Sequence, residues 1–142
     1  MTDNPKISLT VTAIVQVPVE KAWQLWTTPA HIMQWNNASD DWHTPKAEND
    51  LRESGSFSYT MAAKDGSFGF DFWGAYDIVN EHDLIEYTLG DGRKVQVHFG
   101  TDGNGTAITE VFEAETMNSP ELQQQGWQAI LNNFKKYAET NL

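Results

Sequence analysis

The stretch SPELQQQGWQAILNNFKKYA, residues 119–138, predicts a long amphipathic helix at the end of the chain. Ser119 is typical of a helix N-cap, and Pro120 is typical of a first helical residue, where a missing N–H costs little. The stretch is long enough for about five helical turns, and apolar side chains recur in it at helical spacing to form one stripe: Trp127, Ile130, Leu131, Phe134 and Ala138. Such a helix needs an apolar surface elsewhere in the chain to cover.

A set of antiparallel strands upstream supplies that surface. Residues 7–17 alternate apolar and polar side chains, which is the period-two pattern of a strand with one buried face. Beyond Gly55 the alternation resumes, interrupted by turn-forming sequences at residues 64–67, 90–92 and 102–105. On the strand that follows the first of these turns, one face collects the following residues: Phe68, Phe70, Phe72, Gly74, Tyr76 and Ile78.

Two short helices are predicted between the first strand and the rest of the sheet. Pro18 suits the first position of one helix, and Thr28 with Pro29 suits the cap and start of the other. An extended segment follows around Trp42 and His43. The element order is strand, two helices, six strands and a long helix, so we expect an α+β fold in a single domain, residues 1–142 with a core at about 7–140.

Composition and charge narrow the classes of function. The net charge of −11 disfavours nucleic acid as a partner, and the absence of Cys excludes disulfides and thiolate chemistry. The N-terminal residues 1–7 lack the features of a signal peptide, and no apolar run is long enough to span a membrane. We therefore expect a cytoplasmic protein. No phosphate-binding loop or metal-ligand spacing is present, so we expect no cofactor and no metal.

The ordered markers of the chain resemble the activator-of-heat-shock-ATPase-like branch of the SRPBCC (START-like) superfamily. They are Pro18 to Trp23, Trp26, Thr28-Pro29, His31-Ile32 to Trp35, Gly55-x-Phe57, Phe72-x-Gly74-x-Tyr76, Gly105-Thr106 and Gly126-Trp127 before Leu131. The resemblance covers residues from about 7 to the end. It implies a helix-grip β-α-α-β6-α fold, in which a curved antiparallel sheet wraps around the C-terminal helix. It also implies a cavity between the sheet and the helix, where members of the family bind hydrophobic or amphipathic molecules. Some members are aromatases or cyclases, and one group stimulates a chaperone ATPase.

Together, the pattern and the resemblance predict a ligand-binding cavity with an aromatic wall. The rim would be formed by Trp42 beside His43. The wall and roof would be formed by these residues: Phe57, Tyr59, Phe70, Phe72, Tyr76, Tyr87, Val97 and Phe99 on the sheet, and Trp127, Leu131 and Phe134 on the helix. The same residues would also suit an ordinary filled core.

Glu110 and His43 are the candidates for acid–base chemistry. If Glu110 shares the inward face of the last strand with Ile108 and Phe112, it is a carboxyl group inside an aromatic cavity, with a partner or a raised pKa. A register shifted by one residue would instead turn Glu113 inward. Three functional hypotheses follow. The leading hypothesis is binding of a hydrophobic or amphipathic small molecule. The alternatives are an enzyme of cyclase, lyase or hydrolase type that uses Glu110 with His43, and a chaperone-interaction module. The oligomeric state is left open.

Overall fold

The computed structural model describes residues 7–140; residues 1–6, for which we expected no signal peptide, and residues 141–142 lie outside the described part. Seven strands and three helices follow one another in the predicted order. They are β1 (Ser8–Val15), α1 (Val19–Thr27), α2 (Pro29–Trp35), β2 (Trp42–Asn49), β3 (Ser56–Ala63), β4 (Gly69–Asn80), β5 (Leu84–Leu89), β6 (Lys94–Asp102), β7 (Gly105–Glu113) and α3 (Pro120–Thr140).

The seven strands form one antiparallel sheet in the order β1-β7-β6-β5-β4-β3-β2. Consecutive strands from β2 to β7 pair as a meander, and β1 pairs with β7 to form the edge opposite β2. The sheet curls around α3, so the fold is the α+β helix grip that the sequence predicted. Because α1 and α2 connect the two edge strands β1 and β2, they lie across one end of the curled sheet.

Glutamine side chains of α3 bind the free edge of β1. Gln124 Nε2 donates to the carbonyl of Thr10 at 2.9 Å, and Gln128 Nε2 donates to that of Thr12 at 3.0 Å. Four residues of helix advance about 6 Å and two residues of strand about 6.6 Å, so the two repeats nearly match. This arrangement satisfies edge carbonyls that would otherwise be open to another strand.

The core under α1 and α2 is aromatic. Phe134 of α3 lies with its ring centroid 4.8 Å from that of Trp26 and 4.9 Å from that of Trp35. The Trp35 indole donates to the carbonyl of Leu25 at 3.0 Å, which satisfies its buried N–H. Phe99 approaches Trp26 from the sheet at 5.9 Å. These rings fill the space at this end of the molecule.

Three local predictions need correction. A bulge between Tyr76 and Ile78 changes the phase of β4, so Val79 packs against the core in place of Ile78. Pro18 is the residue before α1 and not its first residue. Thr28 occupies the N-cap position of α2, but its hydroxyl donates back to the Gln24 carbonyl at 2.7 Å and does not cap the helix.

The start of α3 is as predicted. Ser119 Oγ accepts from the backbone N–H of Leu122 at 3.1 Å, and Pro120 is the first helical residue. Within residues 7–140, no helix combines the length and the apolar character that crossing a membrane requires.

Candidate functional site

A cavity of about 180 Å³ lies between the curled sheet and α3. Strands β2 to β5 and β7 provide one side, α3 provides the roof, and the ends of α1 and α2 close it. The lining residues are mostly aromatic: Trp26, Thr27, Trp35, Asn36, Asn49, Phe57, Tyr59, Met61, Phe70, Phe72, Tyr76, Ile85, Tyr87, Glu110, Trp127 and Ile130.

Phe57 is the centre of the aromatic wall. Its ring centroid lies 4.9 Å from that of Tyr87, 5.1 Å from that of Tyr59 and 5.3 Å from that of Tyr76. The space for this ring comes from Gly74, its partner on β4, where an added Cβ would lie 3.1 Å from the Phe57 ring and 2.7 Å from the Thr88 carbonyl oxygen. The glycine is therefore required by a close approach.

Trp127 fixes the roof to the sheet. Its indole stacks on Phe112 of β7 with a centroid distance of 3.9 Å and an interplanar angle of 7°. On the other side it meets Phe72 edge-on at 6.1 Å. Stacked and edge-on contacts of this kind stabilise a packing beyond the area that they bury. Trp127 thus bridges β7 and β4 across the cavity.

The cavity reaches the surface near Phe70 and Met61, which face each other on β4 and β3. Phe70 lines the cavity although 44% of it is exposed, so this part of the wall is a mouth. Trp42 and Phe68 lie beside it, with centroids 6.2 and 6.3 Å from that of Phe70. An apolar ring cluster therefore flanks the opening.

One polar network lies inside the aromatic wall. The Tyr76 hydroxyl donates to Asn49 Oδ1 at 2.5 Å, and Asn49 Nδ2 donates to the Thr27 carbonyl at 2.7 Å. The Tyr59 hydroxyl lies next to that of Tyr76, and burial, together with the neighbouring Tyr76 and Tyr87, raises the pKa of Tyr59 well above 10. The network joins β2, β3 and β4 to the end of α1, and its members are neutral hydrogen-bonding groups.

Glu110 faces the cavity from β7. It is 5% exposed, and burial raises the pKa of its carboxyl group from 4.5 to about 8. None of the residues 7–140 forms a hydrogen bond with this carboxyl group. In the same range, every polar side-chain atom that is fully enclosed by protein has a hydrogen-bond partner, so the carboxyl oxygens of Glu110 are not fully enclosed. The carboxyl oxygens therefore open onto the space of the cavity. At neutral pH the group is mostly a neutral acid.

The structure places the predicted wall in two groups. Phe57, Tyr59, Phe70, Phe72, Tyr76, Tyr87 and Trp127 line the cavity together with Glu110, whereas Val97, Phe99, Leu131 and Phe134 are buried in the core outside its lining. Trp42 lies at the mouth through its contact with Phe70. His43 is exposed on β2, opposite Ala62 of β3, and does not line the cavity with Glu110.

Half of the residues that line the cavity were not predicted from the sequence. These residues are Trp26, Thr27, Trp35, Asn36, Asn49, Met61, Ile85 and Ile130. Met61 and Ile85 share the predicted inward faces of their strands, so alternation was a sufficient signal for them. Asn49 carried no such signal, because its strand is mostly polar and its partner Tyr76 is 27 residues away. Among residues 7–140, no three His, Asp or Glu side chains are grouped as metal ligands.

The family model described as Activator of Hsp90 ATPase homolog 1-like protein matches residues 16–139. The chain belongs to this family. A solved AHSA1-like protein from Aeromonas hydrophila is 42% identical, with a TM-score of 0.89 over 95% of this chain and 94% of that one. A protein from Cytophaga hutchinsonii is 57% identical, with a TM-score of 0.79 over 96% of this chain and 93% of that one.

More distant structures share the fold alone. One from Chromobacterium violaceum superposes with a TM-score of 0.84 at 19% identity, covering 94% of this chain and 98% of that one. No curated protein matches the chain. The comparisons therefore establish family and architecture, and the chemistry of the site has to be argued from its own residues.

Proposed function

We propose that this AHSA1-like protein binds a small hydrophobic or amphipathic molecule in the cavity between the sheet and α3. The observation that carries the proposal is the cavity itself, about 180 Å³ of space behind a mouth at Phe70. Trp26 and Trp35 pack against Phe134 and also border this space. An apolar cavity of roughly 150 Å³ in another protein holds benzene, so this space suits a molecule of one ring with a few substituents.

The lining supports a ligand that is mainly apolar with one polar end. Rings and aliphatic side chains form most of the wall, whereas Glu110 and the Asn49 network provide a small number of polar groups. Pockets for small molecules commonly combine these two features. The apolar rings of Trp42, Phe68 and Phe70 at the mouth favour entry of the apolar part first.

Native mass spectrometry of protein purified from its own host tests the proposal. We expect a non-covalent adduct whose mass fits a small organic molecule and which disappears when the protein is denatured. A matched pair of variants locates it: Ile130→Trp fills the cavity from α3, whereas Leu122→Trp adds the same ring at a position that is 56% exposed. Loss of the adduct in the first variant alone supports the site, and an unchanged adduct in a folded Ile130→Trp protein contradicts it.

Catalysis is a second candidate, favoured by the position of Glu110. A buried carboxyl group with a pKa of about 8 is protonated at neutral pH and can serve as a general acid toward a molecule in the cavity. The pairing with His43 is not part of this proposal, since that ring is exposed on β2. Glu110→Gln should then abolish turnover of the co-purified molecule and leave its binding largely intact, whereas unchanged turnover would exclude the role.

A chaperone-interaction role is supported only by the description of the family, which concerns activation of an Hsp90 ATPase. In that case the working surface is outside and the cavity is incidental. Pull-down with the chaperone and stimulation of its ATPase would both succeed, and Ile130→Trp would leave them unchanged. Absence of both effects would remove this candidate without affecting ligand binding.

A further inference from the structure

Two buried polar groups line the cavity without protein hydrogen-bond partners. Glu110 projects from β7, and Tyr87 projects from β5, on the same inward face of the sheet. Tyr87 is 9% exposed, and no residue in the range 7–140 forms a hydrogen bond with its hydroxyl group. Burial raises the pKa of Tyr87 well above 10, and the nearby charge of Glu110 raises it further. The two groups are therefore close enough to interact electrostatically. Buried polar groups normally have partners, so an unpartnered pair in a cavity points to a ligand.

The remaining groups around the pair restrict the charge of that ligand. The other titratable side chains lining the cavity are Tyr59 and Tyr76, and no Lys, Arg or His is among the lining residues that the structure describes. An anionic ligand would find no opposite charge, inside a protein whose net charge is −11. It would also be desolvated without compensation, which is costly. Fatty acids and other carboxylates are therefore poor candidates.

Neutral Glu110 and Tyr87 each carry one O–H donor. Glu110 on β7 and Tyr87 on β5 lie on either side of β6, and the inward curl of the sheet allows their two donors to converge on one acceptor oxygen, since a carbonyl oxygen has two lone pairs. A protonated carboxyl beside a tyrosine is a known arrangement for holding such an oxygen in an apolar site. The aromatic residues Phe57, Phe72 and Trp127 then surround the rest of the molecule.

We infer that the ligand is a neutral aromatic molecule with a carbonyl oxygen, and that Glu110 and Tyr87 both donate to this oxygen. This inference rests on the proposed binding function and adds to it the chemical class of the ligand. It distinguishes this pair from the Asn49 network, whose hydrogen bonds are already satisfied within the protein. The Asn49 network shapes the wall, and the Glu110–Tyr87 pair recognises the ligand.

Two isosteric probes test the inference. Acetophenone carries the carbonyl oxygen, and α-methylstyrene replaces that oxygen by a methylene group at nearly the same volume. Dissociation constants of both are measured by isothermal titration calorimetry or NMR titration at pH 6.5. We expect acetophenone to bind at least about tenfold more tightly, since two hydrogen bonds form in a dry site. Tyr87→Phe should remove several-fold of this preference, and Glu86→Gln, on the outer face of β5, serves as the surface control.

The pH dependence provides an independent readout. Donation requires the protonated acid, so acetophenone should bind about tenfold more weakly at pH 9 than at pH 6.5. Glu110→Gln keeps an N–H donor at both pH values, so its affinity for acetophenone should be nearly the same at both. The titration of Tyr59, Tyr76 and Tyr87 does not interfere, because burial raises the pKa of each well above 10.

The outcomes separate the inference from the function on which it rests. Equal binding of the two probes overturns the inference and leaves the binding function standing. Binding of neither probe also overturns the inference, and the native mass-spectrometry adduct with its Ile130→Trp variant then decides the binding function separately. A preference for benzylamine that increases from pH 5 to 8 and disappears in Glu110→Gln also overturns the inference, since the carboxylate would then recognise a cation.

Discussion

The Glu110→Gln substitution should remove a large pH dependence of stability. Burial raises the pKa of Glu110 from 4.5 to about 8 in the folded protein, so the folded state binds this proton more tightly than the unfolded chain. The free energy of unfolding is then highest below pH 4.5 and falls as pH rises through the range from 4.5 to about 8. Each pH unit within that range costs about 1.4 kcal/mol, and the whole range amounts to roughly 5 kcal/mol as an upper bound.

Urea unfolding followed by tryptophan fluorescence, at fixed pH values between 4.5 and 9, gives the free energy of unfolding at each pH. The quantity of interest is the difference between the native protein and Glu110→Gln, in which contributions from all other titrating groups cancel. Glu53→Gln, on an exposed loop, controls for the loss of one negative charge. A difference that stays constant from pH 5 to 8 would refute the reasoning, because it would mean that Glu110 ionises as freely in the folded state as in the unfolded chain.

Two further predictions concern the framework of the cavity, and urea or thermal unfolding measures both. Gly74→Ala should destabilise the protein by about 1–3 kcal/mol, because the new Cβ would lie 3.1 Å from the Phe57 ring. Gly100→Ala is the control and should change stability by less than about 0.5 kcal/mol, since the atom nearest to its new Cβ would be 4.0 Å away. Similar effects of the two alanines would contradict the close approach. Ser119→Ala should lower the free energy of unfolding by about 1 kcal/mol through loss of the α3 cap. Thr28→Ala should lower it less, because the Thr28 hydroxyl does not cap α2. Equal losses of stability in the two variants would refute this distinction.

The fold could be predicted because polar and apolar residues contrast clearly on most elements. Alternation defined the strands with one buried face, the stripe of α3 defined the roof, and the turn sequences separated the strands of the meander. Prediction failed where one residue changed the phase. The bulge after Tyr76 turns Val79 inward in place of Ile78, and nothing in the local apolar pattern distinguishes these two side chains. Strand β2 was predicted only as an extended segment around Trp42, because it is an edge strand rich in polar residues.

The site was less predictable than the fold, because a shared face does not say which rings border empty space. Phe99 and Phe57 both point inward, but Phe99 is covered by Trp23 and Trp26 of α1, with centroids at 5.1 and 5.9 Å. Phe57 has no such cover and lines the cavity. The difference depends on how far each helix stands from the sheet, which is a tertiary property. The inward direction of Glu110 likewise depended on the register of β7 with β6 and β1.

The attachment of α3 explains why the cavity opens where it does. Gln124 and Gln128 hold the helix along the free edge of β1, and Lys135 Nζ extends this row to the carbonyl of Ile14 at 2.6 Å. The roof is therefore fixed on the β1 side of the curled sheet, and across the cavity Trp127 meets Phe72 of β4 only edge-on. Because a hydrogen-bonded side resists separation more than an edge-on ring contact does, a ligand should enter between α3 and the β3–β4 side of the sheet. The mouth at Phe70 lies on this side. From there the cavity leads to Glu110 and Tyr87, which line it together with Phe70.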